Sequence, residues 1–83
     1  MIKEKRKDKR IEFKNYVNLI SKGEVFKVES IDLSREGLFL NTALFNVGDE
    51  LSAIFSIILN IPFKRNGVVV RKDIKGIGIH FLK

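Results

Sequence analysis

Apolar and polar residues alternate over short stretches of the chain, and turn-forming residues separate these stretches. The alternation begins at Ile11 and Phe13 and predicts a first strand over residues 10–20, with a bulge near Asn15 where the alternation slips. Further strands are expected at 25–31, 37–40, 50–59, 63–72 and 77–82. Because six short strands follow one another without a credible helix, we expect an all-β fold, a small six-stranded antiparallel β-barrel.

Three connections between these strands carry specific expectations. Residues 32–37 (DLSREG) are expected to form a polar connector, and residues 60–62 a bend or hairpin. Asn66 and Gly67 are expected to form a bulge within the fifth strand or, failing that, a tight turn.

A closed barrel has a single interior, which apolar residues from every strand must fill. Closure also removes the exposed strand edges that promote aggregation. The residues expected to face the interior are Val17, Leu19, Val28, Ile31, Leu38, Leu40, Leu51, Phe55, Val68, Val70, Ile79 and Phe81.

The composition supports a folded domain that is rich in strands. Ile, Val, Leu and Phe make up 33 of the 83 residues, whereas disordered chains fall below roughly 20% for these four types. Ile, Val and Thr together occur 19 times and Ala only twice. Since β-branched side chains fit a pleated surface better than a helix, a helical bundle is disfavoured.

Positive charge is concentrated at the start of the chain. The net charge is +6, and residues 1–14 carry seven Lys and Arg against three Asp and Glu, a net +4. We therefore expect residues 1–9 to form a flexible basic arm and residues 10–83 to form the barrel. An anionic partner is indicated, which leaves a nucleic acid, a nucleotide or a membrane surface open.

Several functional classes are disfavoured by missing residue types. The chain has no cysteine and one histidine, His80, so we expect neither a disulfide nor a metal site. It offers no nucleophile paired with a base and no glycine-rich phosphate loop, so we expect no enzymatic activity and no cofactor. The most apolar stretch, residues 53–63, is shorter than the about 20 residues of a membrane helix. With no signal peptide visible, we expect a cytoplasmic protein without membrane insertion.

Two short motifs are candidates for ligand binding. Arg6 and Arg10 form an RxxxR pattern, and Asp32, Ser34 and Gly37 form a DxSxxG pattern. Each also has a simpler interpretation: the arginines are typical of a solvated tail, and the second motif suits a turn. In such a turn Asp and Ser bond to nearby amides, and Gly adopts a positive φ.

Taken together and in this order, the two motifs resemble those of the PilZ domain family, bacterial receptors for cyclic di-GMP. DxSxxG begins about 20 residues after RxxxR, as in the family. The resemblance continues through GLFL at 37–40, VGDEL at 47–51, GVVVR at 67–71 and GIGIHF at 76–81. It implies a six-stranded antiparallel barrel, in agreement with the strand pattern.

Two features depart from the family pattern. The family often carries a helix after the last strand, whereas this sequence ends at Lys83. Glu36 stands where small or polar residues are common, so a carboxylate would lie near the proposed anion site. We expect it to weaken binding, with Arg35 beside it as a compensating charge.

The resemblance implies a non-catalytic receptor that binds cyclic di-GMP through both motifs. A guanidinium matches the O6 and N7 acceptors of guanine, and a carboxylate matches the donors on the opposite edge of the base. The implied ligand residues are Arg6, Arg10, Asp32, Ser34 and Gly37, with Lys5, Arg35 and Arg71 as further candidates.

Binding is expected to order the basic arm and to signal to an unidentified partner protein. Two alternatives stay open. One is a PilZ-like adaptor that binds protein without nucleotide, and the other is a small nucleic-acid-binding barrel. The second alternative requires exposed aromatic residues on one strand face.

Overall fold

Seven antiparallel strands make up the described part of the chain, residues 11–58 and 61–82 of a computed structural model. They are β1 (Ile11–Glu12), β2 (Tyr16–Ser21), β3 (Glu24–Leu33), β4 (Gly37–Asn41), β5 (Glu50–Ile58), β6 (Ile61–Asp73) and β7 (Gly76–Phe81). No helix occurs in these residues. The predicted all-β fold is confirmed, while the expected boundary between arm and barrel at residues 9 and 10 lies outside the described residues.

Six of the strands close into a barrel. Their order is β3-β2-β5-β6-β7-β4, and β4 pairs back onto β3 to complete the ring. The short β1 adds to β3 as an extra strand, at the position where β3 is already paired with β4. The predicted six-stranded antiparallel barrel is confirmed, with one strand in addition.

The extra strand exists because the predicted first strand is interrupted at residues 13–15. The buried Ser30 occupies the gap: its Oγ contacts the carbonyl oxygens of Phe13 and Asn15 and accepts the Asn15 N–H at 3.0 Å. The Ser30 N–H donates to the Asn15 carbonyl at 2.8 Å. The irregularity predicted near Asn15 is therefore present, but it divides the strand instead of forming a bulge.

Replacing this serine is expected to destabilise the barrel. Ser30→Ala leaves the Asn15 N–H without its buried acceptor, which costs about 1–3 kcal/mol and lowers the melting temperature by roughly 4–8 °C for each kcal/mol. Thermal unfolding followed by circular dichroism measures the change. Ser52→Ala is the control, because its hydroxyl bonds Asn66 in an exposed position. Equal melting temperatures for the two variants would contradict this role of Ser30.

The core consists mainly of the residues that the alternation predicted. The buried cluster is Val17, Leu19, Val28, Leu33, Leu38, Leu40, Phe45, Leu51, Ala53, Phe55, Val69, Ile77, Ile79 and Phe81. The predictions for Ile31, Val68 and Val70 are wrong. Alternation places Ser30, Gly67 and Val69 inward instead, so their neighbours Ile31, Val68 and Val70 face outward. Bulges follow Ser30 and Val69, where the register shifts by one residue.

The connections also differ from expectation. β3 continues to Leu33, so Asp32 lies in a strand and not in the polar connector. The hairpin expected at residues 60–62 is confirmed, because β5 pairs with β6 and Ile58 is opposite Ile61, but Pro62 itself lies within β6, opposite Ser56. No register shift occurs at residues 66–67, so the predicted bulge there is wrong.

β5 and β6 extend beyond the barrel as a hairpin. The pairing of β5 with β2 ends at Ile54, and the pairing of β6 with β7 begins at Gly67. The described residues between these points, 55–58 and 61–66, therefore pair only within the hairpin. Its inner face lies over one end of the barrel, beside the DxSxxG segment.

Candidate functional site

The described chain begins directly beside the DxSxxG segment. Ile11 is opposite Leu33 and Glu12 is opposite Asp32 in the β1–β3 ladder. The Phe13 N–H then donates to the Ile31 carbonyl at 3.0 Å, which holds the next residue to the same strand. The predicted ligand residues Lys5, Arg6 and Arg10 lie outside the described residues.

Backbone hydrogen bonds hold the turn after β3 in one conformation. The Ser34 N–H donates to the Gly37 carbonyl at 2.9 Å, and the Glu36 N–H donates to Ser34 Oγ at 3.3 Å. The Glu36 carbonyl accepts the Phe81 N–H at 2.8 Å, which fixes the turn to the end of β7. Ser34 is buried, whereas Arg35 and Glu36 are exposed beside it.

Gly37 is required by the barrel itself. A Cβ at this position would lie 2.0 Å from the carbonyl oxygen of Ile79, which is far inside the contact distance. The glycines with positive φ are Gly23, Gly48 and Gly76 among the described residues, so the positive φ considered for Gly37 is absent. Glycine is needed at position 37 because β4 and β7 approach each other closely there. Contact between Gly37 and a ligand stays a prediction.

Phe39 lies on the outer surface of the barrel although it is only 5% exposed. Its neighbours Leu38 and Leu40 are in the core, and side chains alternate along a strand. The Arg71 guanidinium covers the ring at 4.6 Å from its centroid. Gly78 of β7 lies between the strands of these two residues, opposite both Phe39 and Arg71.

Phe39 and Arg71 lie in the same row of cross-strand neighbours as Asp32. Asp32 is opposite Phe39, Phe39 is opposite Gly78, and Gly78 is opposite Arg71, on β3, β4, β7 and β6 in turn. With strands about 4.8 Å apart, the row spans about 14 Å. The fold thus brings Asp32 and Arg71, two predicted ligand residues, onto one outer surface. Arg71 also contacts Asp73, with 3.7 Å between Nε and Oδ2.

A cavity of about 360 Å³ lies at the end of the barrel, under the β5–β6 hairpin. Ser34 and Arg35 of the DxSxxG segment form one side, and Ile11 of β1 also borders it. Phe55 and Phe63 of the hairpin form an apolar wall. We call this space the end cavity. It adjoins both the DxSxxG turn and the residue that follows RxxxR.

Two positions in this region were missed by sequence reasoning. Phe39 was expected neither in the core nor at the site, and Arg65 was not singled out. Arg65 lines the end cavity and lies over the Phe81 ring, with its guanidinium carbon 4.4 Å from the centroid. The available signal was the alternation of Phe63, Arg65 and Gly67, which share one face of β6.

The exposed aromatic residues do not form a nucleic-acid stacking surface. Within residues 11–58 and 61–82, the exposed ones are Tyr16 on β2 and Phe63 on β6, two strands that do not pair. Lys27 lies 4.7 Å above the Tyr16 ring. Single-strand binding uses several aromatic side chains along one groove, so this arrangement disfavours the nucleic-acid alternative.

The described part of the chain contains neither a cluster of metal ligands nor a membrane-spanning helix. No group of three or more His, Asp or Glu side chains is arranged to hold a metal ion there. The same residues contain no helix of the length and hydropathy needed to cross a membrane.

Comparison with known proteins agrees with the motif order and the barrel. The family model described as "PilZ domain" matches residues 4–83, which is nearly the whole chain and includes both motifs. No curated protein matches the sequence. On the extent of the family match and the closed six-stranded barrel, the chain belongs to the PilZ domain family.

Proposed function

We propose that this protein is a non-catalytic receptor for cyclic di-GMP. PilZ domains are generally cyclic di-GMP receptors, and both RxxxR and DxSxxG lie within the residues that the family model matches. In the proposed complex, the two arginines and the DxSxxG segment hold one ligand from two sides.

The register of β1 on β3 carries the proposal. Arg10 is bonded to Ile11, so its Cα lies 3.8 Å from a residue that is opposite Leu33. Arg6 is five residues from Ile11 and therefore within about 18 Å of it, even if the chain is fully extended. The length of chain before Ile11 therefore allows both arginines to reach Asp32 and Ser34 without any rearrangement of the barrel.

The residue types fit the chemistry of the ligand. Each guanine presents two acceptors on one edge, which match the parallel N–H donors of Arg6 or Arg10. The opposite edge presents N1–H and N2–H donors, and the Asp32 carboxylate accepts both. Arg71 adds positive charge on the same outer surface as Asp32 and would face the ligand phosphates.

In this function, binding would act as a switch through the basic segment. Seven Lys and Arg in residues 1–14 repel one another in the free protein, and two phosphates reduce this repulsion in the complex. The ligand would thereby order residues 1–9 against the barrel, and a partner protein would recognise the ordered form. The protein would carry out no chemical reaction on the ligand.

Calorimetric titration with cyclic di-GMP is the direct test, and it yields affinity and stoichiometry together. Binding with a rise in melting temperature is expected, because a ligand that binds only the folded state stabilises it. GMP and single-stranded DNA should give much smaller shifts. No heat and no shift at near-millimolar cyclic di-GMP would reject the proposal and favour the adaptor alternative.

Asp32→Asn is expected to weaken cyclic di-GMP binding by about 10- to 100-fold, which corresponds to the 1–3 kcal/mol of a good base contact. The amide keeps the shape of the side chain but replaces one acceptor with a donor that opposes the guanine N–H groups. Glu29→Gln is the matched control, since Glu29 is an exposed carboxylate on the same strand. Unchanged affinity of Asp32→Asn in calorimetry would remove Asp32 from the site.

A further inference from the structure

The end cavity contains a series of stacked aromatic rings. Phe55 and Phe81 lie nearly parallel, with 6.0 Å between centroids and 9° between planes. Phe63 stacks against Phe55, with 6.4 Å between the ring centroids and 25° between the ring planes. The Arg65 guanidinium lies over Phe81. The wall of the cavity is thus built from nearly parallel flat groups, with a cation among them.

Part of this apolar wall is exposed to solvent. Ile57 is 52% exposed and Phe63 37%, although both belong to the hairpin face that covers the barrel end. Clustered apolar exposure of this kind marks a binding site more often than scattered single residues do. A volume of about 360 Å³ lies at the lower end of the about 300–1,000 Å³ that is typical of small-molecule pockets. Such a space suits one heterocyclic base better than a whole dinucleotide.

The polar groups at the cavity indicate what kind of molecule enters. Arg65 and Arg35 make it positive, and Ser34 adds a hydroxyl group. A guanidinium that rests on one ring offers its opposite face to a second flat group. An aliphatic side chain from a protein partner would pack against the apolar wall, but it could not stack on the Arg65 guanidinium.

We infer that one guanine base of the ligand enters the end cavity and stacks on Arg65. The inference rests on the proposed function and extends it, because neither RxxxR nor DxSxxG includes Arg65 or the hairpin. Ser34 and Arg35 belong to the DxSxxG turn and also line the cavity, so a dinucleotide held at the turn lies at its opening. The second base then remains outside, near Asp32.

Substitution of Arg65 tests the stacking contact. Arg65→Ala is expected to weaken cyclic di-GMP binding by about tenfold, in the range of base stacking and cation–π contributions. Arg65→Lys keeps the charge but lacks the plane, so it should lose most of the same affinity. Lys64→Ala is the charge-matched control: Lys64 is exposed, neighbours Arg65 on β6 and does not line the cavity. It should change affinity less than twofold.

A second variant and a direct contact measurement separate the possible outcomes. Phe63→Leu keeps the cavity apolar but removes one ring, and it should also weaken binding severalfold. In the wild-type complex, nuclear Overhauser effects are expected between a guanine H8 and the ring protons of Phe63 or Phe81. Wild-type binding with unchanged affinity of the Arg65 variants, or contacts to neither ring, overturns the inference and leaves the proposed function standing. Absence of wild-type binding rejects both.

Discussion

Gly37→Ala is expected to destabilise the barrel strongly, although it removes no side chain. The new methyl carbon would lie 2.0 Å from the Ile79 carbonyl oxygen, a backbone atom that cannot rotate away. β4 and β7 must therefore separate at this point, at a cost of about 3 kcal/mol, the upper part of the usual range for overpacking. A domain of 83 residues has roughly 4–12 kcal/mol of stability in total. Thermal unfolding should show a melting temperature lower by about 10–25 °C.

Gly78→Ala is the matched control for this prediction. Gly78 lies on β7, in the same β4–β7 ladder, but a Cβ there would lie 3.5 Å from the nearest atom, which is ordinary van der Waals contact. The melting temperature of this variant should stay within a few degrees of the wild type. If Gly37→Ala unfolds at the same temperature as Gly78→Ala, the close approach of the two strands is not what requires glycine at position 37.

The stability of Gly37→Ala also affects how a loss of ligand binding in this variant is interpreted. Glycine in a DxSxxG motif suggests close contact between the backbone and a ligand, and this stays a prediction. Since Gly37→Ala is expected to disturb the barrel, its loss of binding would not by itself demonstrate such a contact. The ligand role of the motif is therefore better tested at Asp32.

Arg6→Ala and Arg10→Ala are each expected to weaken cyclic di-GMP binding by about 10- to 100-fold, the equivalent of one lost bidentate contact. Neither residue was expected in the core, so the melting temperature without ligand should be unchanged. The lysine variants should also bind weakly, because an ammonium group cannot form two parallel hydrogen bonds or stack on a purine. Calorimetric titration of each variant, together with melting temperatures, provides both measurements.

Lys14→Ala is the control for charge in this experiment. It removes the same single charge from residues 1–14, but Lys14 lies beyond β1 and contacts Glu12 at 3.6 Å. Its affinity should change less than twofold at physiological salt, since exposed charges are screened. Equal losses for Lys14→Ala and Arg10→Ala would show that general positive charge, and not the RxxxR motif, attracts the ligand.

The sequence predicted the fold class and most of the core because these depend on local information. Alternation along each strand and the scarcity of alanine already indicated a sheet, and the spacing of the turns indicated six strands. Nine of the twelve predicted interior residues are buried in the core cluster. The order of the motifs indicated the PilZ family, which the match over residues 4–83 confirms.

The errors lie where contacts across strands overrule the local pattern. The buried hydroxyl of Ser30 divides the first predicted strand by bonding to Asn15. The sequence around Asn15 does not indicate that its hydrogen-bond partner lies 15 residues away. In β6 the alternation places Gly67 and Val69 inward, and a bulge after Val69 leaves both Val70 and Arg71 exposed. Bulges depend on which strands become neighbours, and a single sequence does not specify this pairing.

The sequence by itself determined that the protein is a small basic β-domain with two candidate ligand motifs, since residue type and spacing along one chain are sufficient for both. Only the tertiary structure decided that Ile11 lies opposite Leu33, that Arg71 shares a surface with Asp32, and that the hairpin encloses a cavity beside Ser34. These relations join residues far apart in the chain. They arise when the barrel closes, because closure brings the end of β3, the end of β7 and the β5–β6 hairpin together.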